Sequence, residues 1–245
     1  MSAGATLNME SEAEPVVSLR DLAFSWDGQG LVLDIPAFFL ARGETVFIKG
    51  PSGSGKSTLL GLIGGVLLAD RGEVNVLGTS LSSLSGRRRD RFRADHLGII
   101  FQMFNLLPYL SVIENVTLAC RFSPVRRNAA EKRGGVVEEA VRLLTSLGLD
   151  DTLLNRPVTT LSVGQQQRVA AARALIGSPA LIIADEPTSA LDEAHRGQFL
   201  DLLMTECKAC NAALVFVSHE NSLSDRFDRV VALAELNRSA QVGVV

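Results

Sequence analysis

The run Gly50-Pro51-Ser52-Gly53-Ser54-Gly55-Lys56-Ser57-Thr58 constrains this chain more than any other feature. It fits the pattern G-x-x-x-x-G-K-[ST], and it lies between a predicted strand over residues 45–48 and a helix expected to start near Lys56. Glycines in such a loop let backbone N–H groups close around phosphate oxygens without Cβ clashes. The following helix adds the positive end of its dipole. Lys56 then has the reach for the β- and γ-phosphates of a nucleotide, and the Ser57 hydroxyl suits Mg²⁺. A chance glycine-rich turn would match the same letters, and the strand-loop-helix context argues against it. The loop alone names no activity, because kinases, GTPases, helicases and transporters share it.

The rest of the chain supplies the scaffold such a loop needs. Residues 16–24 and 31–35 read as strands around a turn at Asp27-Gly28. Residues 73–77 and 97–101 are further strand candidates, and 181–184 and 213–217 read as buried strands. Helices are expected over 165–175 and 194–203. Between residues 106 and 149 the pattern turns helical: Val137, Ala140, Val141, Leu144 and Leu147 recur at helical spacing, and Gly148 suits a C-terminal cap. Strands alternating with helices imply an α/β core with a parallel sheet, and the all-helical middle reads as an inserted subdomain.

A length of 245 residues suits one large domain with a subdomain, long enough for a full core. The formal net charge of -3 removes the basic field that a nucleic-acid binder would need, so no nucleic-acid partner is expected. No apolar run approaches the roughly 20 residues that span a bilayer. Glu10, Glu12 and Glu14 sit among small residues where a signal peptide would be cationic and then apolar, so residues 1–14 are expected to be a disordered lead-in. Cys120, Cys207 and Cys210 form no disulfide framework. The pair at 207 and 210 lacks the second pair a zinc site needs and falls late in a helical stretch, so incidental thiols in a reducing cytosol are expected.

Two further segments carry chemistry. Leu181-Ile182-Ile183-Ala184-Asp185-Glu186 is an apolar strand that delivers two carboxylates at its end, the side of a parallel sheet that faces ligands. Asp185 is suited to hold Mg²⁺ through water, and Glu186 to polarise an attacking water as general base. An ordinary strand with an acidic turn would look similar without the phosphate loop. Ser162-Val163-Gly164-Gln165 precedes a helix and reads first as a capping box, with Ser162 capping and Gln165 reaching back. Such a capped, glycine-containing helix start is also an anion site.

At this point the chain resembles a known family. LSVGQQQRVAAARAL followed by LIIADEPTSALD is similar to the signature motif and Walker B segment of ABC transporter ATPases, and the resemblance runs from about Val16 to Leu233. It implies a RecA-like P-loop NTPase core with a small antiparallel β subdomain, over residues 15–102 and 177–238, and a helical subdomain over about 103–176. It implies ATP and Mg²⁺ as cofactors. It places Trp26 where an aromatic ring stacks on adenine, and Gln102 where a glutamine senses Mg²⁺ and water and links to the permease. Residues 189–192 match the D-loop, and His219 matches the switch histidine that contacts the γ-phosphate. His96 and His195 match nothing in the pattern and are expected at the surface. The chain departs from the usual signature at Val163, where the family carries glycine; Ser162, Gly164 and Gln165 remain.

The resemblance also implies partners. In this family the signature of one subunit covers the nucleotide on the other, so one copy of each motif implies a homodimer with two composite sites. Translocation would belong to a separate integral membrane permease, with this chain cytoplasmic and peripheral on the inner face of the membrane. The stretch from Gly72 to Val116 resembles the bacterial branch of lipoprotein-release, macrolide-export and cell-division ATPases. Export or extraction of a lipophilic or lipoprotein cargo is one expectation; a mechanical or signalling ATPase without solute transport is the alternative. Residues 104–109 are expected either to dock a permease helix or to seat the helical subdomain. Arg87, Arg88, Arg89, Arg91 and Arg93 read as a solvated helix face, with anionic lipid or permease contact as the other reading.

Overall fold

The computed structural model describes residues 14–27 and 30–241. The expected lead-in therefore falls, except for Glu14, outside the described residues, as does Gly28 of the expected turn. The chain begins with β1 (Val17–Ser25), β2 (Leu31–Leu40), β3 (Thr45–Lys49), α1 (Lys56–Ile63), β4 (Arg71–Val76), β5 (Thr79–Ser80), α2 (Gly86–His96) and β6 (Leu97–Ile100). The helical middle holds α3 (Val112–Phe122), α4 (Pro124–Glu131), α5 (Val136–Ser146) and α6 (Val163–Leu175). Then follow β7 (Leu181–Asp185), α7 (Glu193–Ala209), β8 (Ala213–Ser218), β9 (Arg229–Ala232) and α8 (Leu233–Leu236).

Two sheets result. One is antiparallel, in the order β2-β1-β4-β5; the other has the order β6-β7-β8-β3-β9 and is parallel throughout. Side chains alternate across the parallel sheet and feed a core on each face. Phe47, Leu214 and Phe216 enter the cluster that also takes Val116, Leu143, Leu144 and Val169 from the helices. Val46, Ile48, Val215 and Val217 enter the opposite cluster with Leu59 and Leu62 of α1 and Leu19 and Leu22 of β1. The chain is thus a P-loop type α/β fold with a separate antiparallel sheet.

Local departures from the expected elements have plain causes. The second strand continues past the expected end at residue 35 to Leu40, through Pro36. It is the edge strand, where a proline removes no hydrogen bond from the ladder. The short β9 went unread because it is a four-residue edge strand, only partly buried. The arginine cluster lies on α2, as a charged helix face; Arg91 and Arg93 pair there with Asp95 and Asp90. His96 is not a surface residue: it is half-buried at the end of α2 against the Phe92 ring, and burial lowers its pKa. Burial also pushes the Cys207 and Cys210 thiols up.

One buried arginine ties the helical middle to the sheet. Arg126, from α4, is 4% exposed. Its guanidinium donates to the carbonyls of Arg173, Ala174 and Ile176 at the end of α6, and to that of Leu97 at the start of β6. A cation at a helix C-terminus meets the negative end of the dipole and the carbonyls that the last turn leaves without intrahelical partners. Burial pulls its pKa down to about 10, which leaves it charged at neutral pH. Gly98 lets β6 and α6 meet, because a Cβ there would lie 2.3 Å from the Ala174 carbonyl oxygen.

Candidate active site

Four parallel strands end on one side of the sheet and deliver the candidate residues there: β3 leads into the glycine-rich loop, β6 to Gln102, β7 to Asp185 and Glu186, and β8 to His219. A cleft of about 420 Å³ is lined by Trp26, Ser52, Gly53, Gly55, Lys56, Ser57, Thr58, Gln102, Asp185 and Glu186, together with Val32. Gly50, Pro51 and His219 line an adjoining hollow. Trp26 is half-exposed, its ring set edge-on against Phe24 at 5.0 Å. A ring so held offers a face to a planar ligand.

The loop is built to receive an anion. Gly55 caps α1 in the left-handed region at φ 97°, with no side chain over the helix N–H groups. The Ser54 hydroxyl is buried without a hydrogen-bond partner among the described residues. Lys56 is folded back on the loop, donating to the carbonyls of Gly50 at 2.8 Å and Pro51 at 2.7 Å, with Glu186 Oε1 at 3.7 Å. An ammonium has three donors, so one remains for a ligand or for Glu186.

The carboxylates are set apart by their contacts. Asp185 accepts from the Ser57 hydroxyl at 3.0 Å. Burial raises its pKa, and that hydrogen bond pulls the other way. Ser57, Asp185 and Gln102 present only hard oxygen ligands, and among the described residues no group of three or more His, Cys, Asp or Glu forms a metal cluster. That set fits Mg²⁺, which takes one or two carboxylates and completes its shell with phosphate and water. Glu186 adopts φ 44°, uncommon for a non-glycine residue, and its N–H donates to the Val217 carbonyl. The turn leaves its carboxylate between Lys56 and His219, whose Nδ1 lies 3.1 Å from Oε2.

The remaining expected residues lie elsewhere. Ser162, Gly164 and Gln165 line a second cleft of about 370 Å³ with Val163, Leu191, Asp192 and His195. No residue lines both this cleft and the one holding Lys56. Ser162 and Gln165 form the expected capping box of α6, through the Gln165 N–H to Ser162 Oγ and the Ser162 N–H to Gln165 Oε1. Val163 is half-exposed at the first position of this helix. His195 is exposed and pairs with Asp192, which caps α7.

Sequence reading missed three groups in or behind these clefts, of which only Val32 is a lining residue. Val32 lines the first cleft, and its place right after the aromatic turn was the available clue. Arg173, on α6, donates to the carbonyls of Phe104 and Asn105 at 2.6 Å each, just past Gln102. Arg196, on α7, bridges the Leu191 carbonyl and Glu220, the residue after His219. No spacing pattern announces contacts between residues so far apart in sequence.

Comparison with known proteins identifies the family. The sequence profile of the family described as ABC transporter matches residues 33–189. The chain is 41% identical, over 91% of its own length and 98% of the relative's, to the lipoprotein-releasing system ATP-binding protein LolD of Novosphingobium aromaticivorans. It is 38% identical to LolD of Porphyromonas gingivalis over 79% of this chain and 85% of that one. Among solved structures, the ATP-binding cassette MJ0796, in a dimeric post-hydrolysis state bound to ADP and Pi, superposes with a TM-score of 0.77 at 31% identity. That match covers 91% of this chain and 95% of the other. The chain therefore belongs to the ABC transporter family, as one of its ATP-binding, ATP-hydrolysing subunits.

Proposed function

We propose that two copies of this chain close on two ATP molecules and couple that closure to a separate membrane permease, which extracts or exports a lipoprotein or lipophilic cargo. The observation that carries the dimer is the separation of the two half-sites: the glycine-rich loop and the Ser162–Gln165 segment face different clefts of one chain. Each half then completes a site only with a second copy, and the cassette MJ0796, at 31% identity, is dimeric. The cargo class follows the LolD names of the relatives. Those names do not favour the mechanical, non-transport alternative. No described helix is long and apolar enough to cross a membrane, so placement on the inner face of the cell membrane would come through the permease.

In this reading Gly53, Gly55 and the first N–H groups of α1 hold phosphate oxygens, Lys56 neutralises their charge, and Trp26 packs against the base. Ser57, Asp185 and Gln102 would hold Mg²⁺, which supplies charge neutralisation on the phosphates when bound. Glu186 takes the proton of the attacking water, and His219, 3.1 Å from it, fixes the carboxylate's direction. Ser162, Gly164 and Gln165 close the site of the other copy.

The test is Glu186→Gln. It keeps the shape of the side chain and removes its basicity, so ATP binding persists while turnover falls by roughly 10² or more. With ATP present, light scattering on a sizing column should show the variant as a dimer. Near-normal hydrolysis would sink the base assignment, and a variant that stays monomeric at saturating ATP would sink the closed-dimer reading.

A further inference from the structure

We infer that Arg196 is a positioning residue that joins the two half-sites within one chain, by tying the loop of the signature-side cleft to the loop that carries His219. The inference rests on the roles proposed above for Glu186 and His219. Its basis is a run of contacts. A Cβ built on Gly164 would meet Leu191 Cδ2 at 3.4 Å, so the signature segment and the loop before α7 are in contact. The Leu191 carbonyl accepts from Arg196 Nε at 2.7 Å. Arg196 Nη1 lies 2.5 Å from Glu220 Oε2, with both side chains mostly shielded from solvent. Glu220 follows His219 directly, and its N–H donates to the Ser218 hydroxyl at the end of β8. His219 in turn faces Glu186.

A guanidinium suits this work because its planar fork serves a carbonyl and a carboxylate at once, in fixed relative directions. An ammonium on a flexible stem would satisfy Glu220 without holding Leu191. Arg196 lines neither cleft itself, so its effect must pass through Leu191 and Glu220 and the loops that carry them. When a second copy's nucleotide presses on the signature side, the displacement of Leu191 reaches His219 through this pair.

The test is a charge-swap cycle read by two measurements. Trp26, the sole tryptophan and a wall of the nucleotide cleft, reports ATP affinity by fluorescence. Steady-state hydrolysis reports kcat and its cooperativity in ATP. Arg196→Glu and Glu220→Arg should each lower kcat at least about tenfold and bring the Hill coefficient towards one, with ATP affinity kept within about twofold. The double variant R196E/E220R should regain kcat to within about threefold of the parent, because the pair is restored with its charges exchanged. Arg196→Lys covers the case in which the reversals unfold: it keeps the ion pair, and it should retain the melting temperature while losing cooperativity. A double variant no better than either single, or single variants with the parent's kcat, would overturn the inference, as would full cooperativity in Arg196→Lys. Glu186→Gln, run in parallel, separates this outcome from failure of the underlying reading: normal turnover there would remove the base while leaving the coupling between residues 196 and 220 measurable.

Discussion

A glycine within the first turn of a helix costs up to about 1 kcal/mol relative to alanine, so Gly164 needs a reason. Its own chain supplies none. A methyl group there would make an ordinary contact with Leu191, and its backbone does not adopt the left-handed region. The remaining demand is close approach by something outside the chain, which agrees with a partner-bound phosphate over Ser162 and Gln165. Gly164→Ala should therefore hold or slightly raise the melting temperature while lowering ATP turnover at least about tenfold; calorimetry and a phosphate-release assay on the same preparation check both halves. Loss of turnover together with loss of stability would point instead to an internal packing role. At this scale the sequence was most informative where residue types are adjacent. Lys56, Ser57, Asp185 and Glu186 could be read because one loop and one strand end place them. Arg196 and Glu220 could not, since the two side chains are 24 positions apart along helix and strand and touch only after folding.

Helix α6 shows how one element serves several tasks. Its N-terminus carries the signature residues under a capping box, and its C-terminus ends on the guanidinium of Arg126. Between them Arg173 holds the carbonyls of Phe104 and Asn105, two residues with positive φ. Removing Arg126 would leave several buried carbonyls unpaired. Arg126→Met, similar in length and unable to donate, should cost roughly 3 kcal/mol of unfolding free energy in a urea titration. Arg173→Lys offers one point charge in place of a fork, so it should loosen residues 104–105 and speed amide exchange there without a comparable loss of global stability.

Helix α3 offers a pH test. The Ser111 N–H, and then its hydroxyl, donate to Glu114 and hold its carboxyl below the ordinary range. A depressed folded-state pKa contributes stability above the unfolded-state value, lost as pH falls through the folded one. Glu114→Gln should thus lower the melting temperature at neutral pH and match the parent in acid below the carboxylate range. The elements themselves were largely legible, because hydrophobic periodicity sets them. Among the exceptions were strand β2 beyond Pro36 and strands β5 and β9, whose edge positions exist only in the assembled sheets, and the four-residue helix α8.

At the scale of the whole molecule, residues 104–109 divide between the two expected roles. Phe104 is buried and Leu106 packs on the core, so that part of residues 104–109 seats the helical middle. Met103 and Tyr109 point outward. Two openings flank this segment: a hollow of about 470 Å³ lined by Met103, Phe104, Leu106 and Pro108, and a more apolar groove of about 390 Å³ between α2, β6 and α3, whose lining includes Phe101, Leu118 and Phe122, with Asp90 and Arg93 at α2. Phe122 is 65% exposed and shares this groove with exposed Phe101. An amphipathic helix from a permease would bury the Phe122 ring and meet the charges of α2. Phe122→Asp should therefore leave ATP turnover of the isolated chain within about twofold, because the residue lines neither half-site. In detergent-solubilised membranes of the native host, the same change should abolish co-purification of a membrane protein that the parent chain retains. A variant that still retains that protein would move the docking surface away from the groove, with exposed Met103 and Tyr109 the next positions to change.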